Sequence, residues 1–222
     1  MLKSCGRILP KGVLTILAIA LFTIGGCDVK FGGGGGDNGG GGGSRQTETI
    51  QGTVIDVIPE QDIEGITVDA TLGSIIRSDV TDPGGFFSIT GPLAGTAMIE
   101  FTDDPGMFLG SRFIEIFPTA RVELGDIILE NGVVKLENVN PEVTFDAQVT
   151  QNNCTGNSGS MQVEASNNQG TATVIVQISP STDLIIDGAE VICQDIRVGR
   201  RVEVQGDLVS TSTVDATRVE ID

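Results

Sequence analysis

The chain has 222 residues, with 13 lysines and arginines against 30 aspartates and glutamates, a formal charge of −17, and no histidine, tryptophan or tyrosine. A field of that sign repels phosphate backbones, which need cationic side chains to displace their counterions, so nucleic acid is excluded and an anionic lipid surface fits poorly. Without histidine the imidazole-based acid–base pairs and nucleophilic triads are unavailable, and paired carboxylates would need a sugar cleft that such a chain is ill equipped to build, so no enzyme is expected.

Residues 1–26 read as an export signal. Lys3, Arg7 and Lys11 make a basic start, Val13 to Ile24 is an uncharged apolar run, and Gly25-Gly26 precede Cys27. A run of about a dozen is shorter than the roughly 18–20 residues of a stable membrane span. Ile24-Gly25-Gly26-Cys27 resembles the lipobox of bacterial lipoproteins. The resemblance implies that the Cys27 thiol carries diacylglycerol and becomes the mature N-terminus. Two or three acyl chains make membrane release negligible, whereas one holds only marginally. The implied place is the cell envelope, facing periplasm or exterior. Asp28 resembles the enterobacterial signal for inner-membrane retention, which other lineages do not follow, so the choice of membrane stays open. Past the signal, 10 cations face 30 acids, a balance read as a solvated surface that keeps a β-protein soluble.

Residues 27–46 form a tether. Gly32 to Gly36, Asp37-Asn38 and Gly39 to Gly43 offer almost no side chain to bury, and such a coil reaches about 20–25 Å. A phosphate-cradling loop would need a following Lys-Ser or Lys-Thr and a strand leading in. Neither is present.

From residue 47 to 130 the pattern has period two, and about seven short strands are expected in a β-sandwich. Ile66, Val68, Ala70 and Leu72 share a face, as do Phe87 and Ile89, then Ala97, Ile99 and Phe101, with Val122 and Leu124 ending the set. Turns fall at Asp82 to Gly85, Thr90 to Pro92 and Asp103 to Gly106. Gly52-x-Val54-x-Asp56, Gly65-Ile66-x-Val68-x-Ala70, Thr81-Asp82-x-x-Gly85-x-Phe87-x-Ile89 and Val122 to Leu129 resemble the carboxypeptidase regulatory-like, or transthyretin-like, domain. Within its most diagnostic element, Thr81 to Phe87, Asp82 caps a turn, Gly85 gives backbone freedom and Phe87 plugs the core. The departure is after Phe101, where such domains often carry Gly-Tyr.

Residues 133–222 read as a second β-domain. Strands are expected over Ala172 to Ile178, Ala189 to Cys193, Arg201 to Val209 and Val214 to Ile221. Pro180-Ser181-Thr182, Asp195-Ile196-x-Val198-Gly199-x-x-Val202-x-Val204-x-Gly206 and Ala216-x-Arg218-Val219-x-Ile221 resemble an exported bacterial β-domain family of unknown function, a small OB-like barrel. The resemblance is poor over 133–170, and Asn138 to Pro141 reads either as a hinge or as an internal turn. The fold class expected is thus all-β: a signal helix and glycine-rich linker, a transthyretin-like sandwich and an OB-like barrel.

Cys154 and Cys193 remain after Cys5 leaves with the signal and Cys27 takes lipid. An even pair in an oxidising compartment is expected to form a structural disulfide. Redox chemistry would want C-x-x-C spacing, and zinc would want more ligands. Asp79 with Asp82, or Asp103 with Asp104, could ligate calcium, but turn-capping is the commoner use and no calcium-loop motif is present. No cofactor is expected. Glycan binding usually stacks sugar on Trp or Tyr. Asn153-Cys154-Thr155 matches a glycosylation sequon, read as chance.

Two functions follow from these observations. The favoured one is a non-catalytic envelope lipoprotein, a structural or protein-interaction module with an envelope protein as partner. The alternative is a glycan- or calcium-binding module. A contiguous apolar patch or an unprotected edge strand would favour the first. Phenylalanines such as Phe108 or Phe113 exposed in a groove, or about four or more converging carboxylates, would favour the second.

Overall fold

The computed structural model describes residues 47–57, 60–104, 106–137 and 139–222. The export signal, Cys27 and the glycine tether lie outside them, as do Pro105 and Asn138 of the expected turns.

Alternating β-branched and polar residues, cut by Gly, Asp and Pro, produce short strands. Among the described residues up to Lys135 they are β1 (Glu48–Val57), β2 (Glu60–Asp62), β3 (Thr67–Leu72), β4 (Ile75–Val80), β5 (Phe86–Gly91), β6 (Gly95–Thr102), β7 (Phe108–Ile116), β8 (Arg121–Glu130) and β9 (Val133–Lys135). The surplus over the seven expected comes from β2 and β9, three-residue returns that pair with β1 and β8. One antiparallel sheet has the order β4-β3-β6-β7. Opposite it, β1 lies between β5, antiparallel, and β8, parallel. Val68, Ala70, Ala97, Ile99 and Phe101 of the first sheet and Ile50, Val54, Phe87, Ile89 and Val122 of the second are all buried. Phe87 meets Phe101 edge to face, centroids 5.9 Å apart at 81°, the arrangement that ring quadrupoles favour. Two sheets sharing one dry interior make a sandwich.

The alternation that ends at Leu124 does not end the strand. β8 continues to Glu130 with Ile127 buried, because a bulge at Gly125 resets the phase. Gly125 has φ +65°, open to glycine at no steric cost. The β1 register against β8 jumps between Gln51 and Thr53. A Cβ at Gly52 would come within 3.1 Å of the Gly125 carbonyl oxygen, so both glycines serve the bulge.

The second half closes on itself. β10 (Glu142–Asn152), β11 (Gly159–Asn167), β12 (Gly170–Ile178), β15 (Arg201–Ser210) and β16 (Thr213–Ile221) join in the cyclic order β10-β11-β12-β16-β15. All neighbours run antiparallel except β12 and β16. Phe145, Val149, Met161, Val163, Val174, Val176, Val204 and Val219 are buried and fill the barrel, and closure removes its sheet edges. The bend needs bulges. At one, Gln205 pairs with Arg218 and Gly206 with Ala216, leaving Thr217 over, and the Thr217 hydroxyl donates to the Gln205 carbonyl at 3.2 Å. Between β12 and β15, β13 (Asp183–Ile186) runs parallel to β16 and turns into β14 (Ala189–Glu190). The strand expected over Ala189 to Cys193 stops there, because the chain enters a 3₁₀ turn at Cys193–Asp195 that buries Cys193 completely.

Sandwich and barrel belong to one compact unit. β10 pairs with β8, placing Glu142 opposite Glu123, Val143 opposite Val122 and Thr144 opposite Arg121, so one ladder of main-chain hydrogen bonds crosses from one half to the other. Phe117 and Phe145 pack beside it, centroids 5.1 Å apart. Arg112 Nη1 donates to the carbonyls of Leu136 at 2.8 Å and Val139 at 2.5 Å. The Leu208 amide donates to Pro141 O at 2.9 Å. The connecting segment is therefore held from both sides.

Glu48 completes the joint. It is fully buried, and its carboxylate accepts from the Leu93 amide at 3.3 Å, the Thr119 amide at 3.0 Å and Asn167 Nδ2 at 2.5 Å. Leu93 and Thr119 belong to the sandwich side and Asn167 ends a barrel strand. Removing the acceptor strands three donors, each costing about 1–3 kcal/mol when buried. Glu48→Ala should therefore lose about 3 kcal/mol or more in urea unfolding. A loss under about 1 kcal/mol would show that these donors find other partners.

Candidate functional site

The Thr81 to Phe87 element forms a rigid corner between the sheets. Thr81 is 2% exposed; its hydroxyl donates to Ile63 O at 2.6 Å and accepts from the Ile66 amide at 2.9 Å. Asp82 Oδ1 accepts from the amides of Gly84 at 2.8 Å and Phe86 at 3.0 Å. Gly85 has φ +70°, and a Cβ there would press on the Val54 carbonyl oxygen. Phe87 lies in the core. Each of these four residues has a part in shaping the corner: two as hydrogen-bonding side chains, one as a left-handed glycine and one as a core plug.

Asp79 and Asp103 are edge and turn acceptors as well. Asp79 Oδ1 takes the Val80 amide at 2.9 Å and Oδ2 the Ser88 amide at 2.7 Å. Asp103 Oδ1 takes the Met107 amide at 2.7 Å. Among the described residues no group of three or more His, Cys, Asp or Glu is placed to hold a metal ion.

Cys154 and Cys193 are joined, with Cα atoms 5.6 Å apart and a sequence separation of 39. The bridge ties the β10–β11 loop to the 3₁₀ turn. Asn152 Nδ2 reinforces it by donating to Cys193 O at 2.8 Å and Ile196 O at 2.7 Å. Gly156 and Gln194 add bonds between the same two segments.

Shallow polar hollows among the described residues include these two. One, about 280 Å³, is lined by Asn157, Pro180 to Leu184, Glu190 and Val191. The other, about 510 Å³, is lined by Thr53, Ile55, Gln61, Asp62, Pro83 and Asp126. Phe108 and Phe113 belong to neither.

These phenylalanines stand on the outer face of the β4-β3-β6-β7 sheet. Paired residues point the same way, so register assigns the face row by row. Val80 pairs with Thr67, Thr67 with Thr102 and Thr102 with Phe108; Ser78 with Asp69, Asp69 with Glu100 and Glu100 with Ser111; Ile76 with Thr71, Thr71 with Met98 and Met98 with Phe113. A last pair is Thr96 with Glu115, whose carboxylate accepts from the threonine hydroxyl at 2.6 Å. Rows on one face lie about 6.8 Å apart along a strand. An acidic central row is thus bordered by two rows that end in large apolar side chains. Phe113 is 69% exposed, Ile76 58%, Phe108 57% and Val80 52%. Sequence singled out Phe108 and Phe113 but missed Ile76 and Met98, whose grouping depends on the register of four strands.

The edges of this sheet are shielded where its face is not. β4 carries Arg77 and Asp79 on the inner side, and Asp79 is bonded to β5 through Ser88. On the β7 side, a Cβ at Gly110 would meet Val134 O at 3.3 Å, and Arg112 is committed to the connecting segment. Inward charges and covering segments are recognised means of blunting an edge.

A second acidic row lies on the barrel, where Asp146 pairs with Glu203 and Glu203 with Glu220. Partial burial on the strand, then Asp146 and Glu220, raise the Glu203 carboxyl above the ordinary range.

No family model matches the chain, and no curated protein matches it. Two solved structures similar to it are the shaft pilin spaA from Lactobacillus rhamnosus GG and a proposed carbohydrate binding protein from Bacteroides uniformis. The pilin is 8% identical with a TM-score of 0.26, and the comparison covers 79% of this chain and 98% of that one. The second is 15% identical with a TM-score of 0.25, at the same coverages. Neither likeness carries an argument about function.

Two outcomes follow for this region. Closing a loop of this length stabilises by about 4 kcal/mol in the chain-entropy model, so a Cys154→Ser/Cys193→Ser form should lose about 2–4 kcal/mol in denaturant unfolding, and non-reducing peptide mapping of the parent should link the two cysteines. Glu203→Gln should raise stability at neutral pH by about 0.5 kcal/mol or less, since its partners face water. A carboxyl with a raised folded pKa is penalised above that pKa and relieved as pH falls through it. The gain should therefore fade as pH falls from neutral through the raised Glu203 value and be gone once pH is below the ordinary glutamate range, which melting curves across pH would record.

Proposed function

We propose that this protein is a non-catalytic envelope lipoprotein, held to a membrane by acylated Cys27, whose β-unit acts as a protein-interaction module. The observation that carries the reading is the outer face of the β4-β3-β6-β7 sheet, where Phe113, Ile76, Phe108 and Val80 stand more than half exposed. Exposed apolar side chains grouped on one face are a signature of a docking surface, whereas single scattered ones are ordinary. Their place on an open sheet face, outside both hollows, favours a protein surface over a sugar cleft. The lipobox-like Ile24 to Cys27 supplies the anchor in this reading.

The test uses the full-length chain in its native host. The parent should partition into detergent and migrate on native gels in a larger complex. Cys27→Ala should move to the aqueous phase. Ile76→Ser/Phe113→Ser should keep the anchor and the melting temperature but leave the complex. An aqueous parent would overturn the anchor, and a complex indifferent to the face variant would overturn the docking surface.

A further inference from the structure

We infer that the partner presents a cationic surface with apolar side chains beside the charge, a reading that deepens the one above and rests on it. The outer face carries Asp69, Glu100 and Glu115, and the paired rows that cover it contain no lysine or arginine. The two cations of the edge strands point elsewhere: Arg77 packs beside Gly91 and Arg112 bonds the connecting segment. Asp69 stands directly opposite Glu100, and like charges in that position destabilise a sheet. The Ser78 hydroxyl donates to the Asp69 carboxylate, and a neutral hydroxyl brings no opposing charge to the pair. A lysine or arginine brought by a partner would relieve it.

The geometry also offers that cation a second attraction. Glu100 and Phe113 occupy adjacent rows on neighbouring strands, so a cation seated against the carboxylate lies beside an exposed aromatic ring. Cation–π attraction there adds to the ion pair. Apolar groups about 6.8 Å to either side would cover the Ile76–Met98–Phe113 and Val80–Phe108 rows, since that is the spacing of rows on a strand. A second copy of this chain fits badly, because the face would set its own acids against each other. An anionic bilayer is repelled for the same reason.

The probe is a synthetic extended peptide alternating lysine with valine and phenylalanine, set against its glutamate counterpart. Anionic vesicles and a neutral oligosaccharide serve as the other arms, all titrated into the full-length protein in detergent. The lysine peptide should bind, the glutamate peptide should not, and raising ionic strength to about 0.5 M should weaken binding sharply. Asp69→Asn/Glu100→Gln removes a repulsion and so folds. It should weaken the lysine peptide by about tenfold, and Phe113→Ser should weaken it as well. Equal binding of both peptides, binding unchanged by the two carboxylate substitutions, or preference for vesicles or sugar would overturn the inference. The native complex separates the two levels. If Ile76→Ser/Phe113→Ser dissolves it while Asp69→Asn/Glu100→Gln leaves it intact, docking stands and the cationic partner falls. If neither variant disturbs it, both fall.

Discussion

A carboxylate taken out of water costs several kcal/mol unless enough donors surround it, and Glu48 is fully buried at the first residue of the first strand. Its three donors come from the β5–β6 connection, the β7–β8 turn and the end of β11. Satisfying that one group therefore sets the position of three distant segments at once. Thr119 shows how far the constraint reaches. It holds φ +70°, a conformation that side-chain-bearing residues adopt only when surroundings enforce it. Here its amide goes to Glu48 and its hydroxyl accepts the Asp146 amide at 3.3 Å. The β8–β10 ladder and the Phe117–Phe145 contact lie over the same joint.

Given that joint, the apolar residues divide cleanly. One set fills a single interior running through both halves. The other set is left outside, and Phe113, Phe108, Ile76 and Val80 gather on the outer face of the β4-β3-β6-β7 sheet. Edges that could recruit any passing strand are shielded, while the flat face keeps Phe113, Met98 and Ile76 in one row. Asp69 and Glu100 stand directly opposite each other on that same face, a pairing that like charges disfavour. The proposed docking surface accounts for the combination, since a cationic partner would relieve the opposed carboxylates and cover the apolar rows.

Much of this was legible in the sequence. Period-two runs gave the inward residues of β3, β5 and β6 because a strand with one buried face must alternate. Turn chemistry gave Asp82 and Gly85, and the count of cysteines gave the 154–193 bridge. Three kinds of feature were not legible. Bulges at Gly125 and Thr217 change phase within a strand, so the alternation of β8 seemed to end early. The β14 strand was overextended because Ala189 to Cys193 alternates, while disulfide and burial of Cys193 demand a turn. The candidate face and the role of Glu48 depend on which strands become neighbours, and pairing across tens of residues is not written in any local window. Phe113 alone looks like a stray apolar residue; opposite Met98 it becomes part of a surface.

The claim on which the functional account rests is that this face meets a protein at the envelope. Its most direct measurement is photo-crosslinking in living cells with benzoylphenylalanine in place of Phe113, compared with the same probe at Ile175 on the barrel exterior, which is 39% exposed. The account predicts a discrete protein adduct from position 113, absent at 175 and identifiable by mass spectrometry as a chain with a basic surface. Adducts of equal yield from both positions, or only lipid and glycan adducts from position 113, would contradict it.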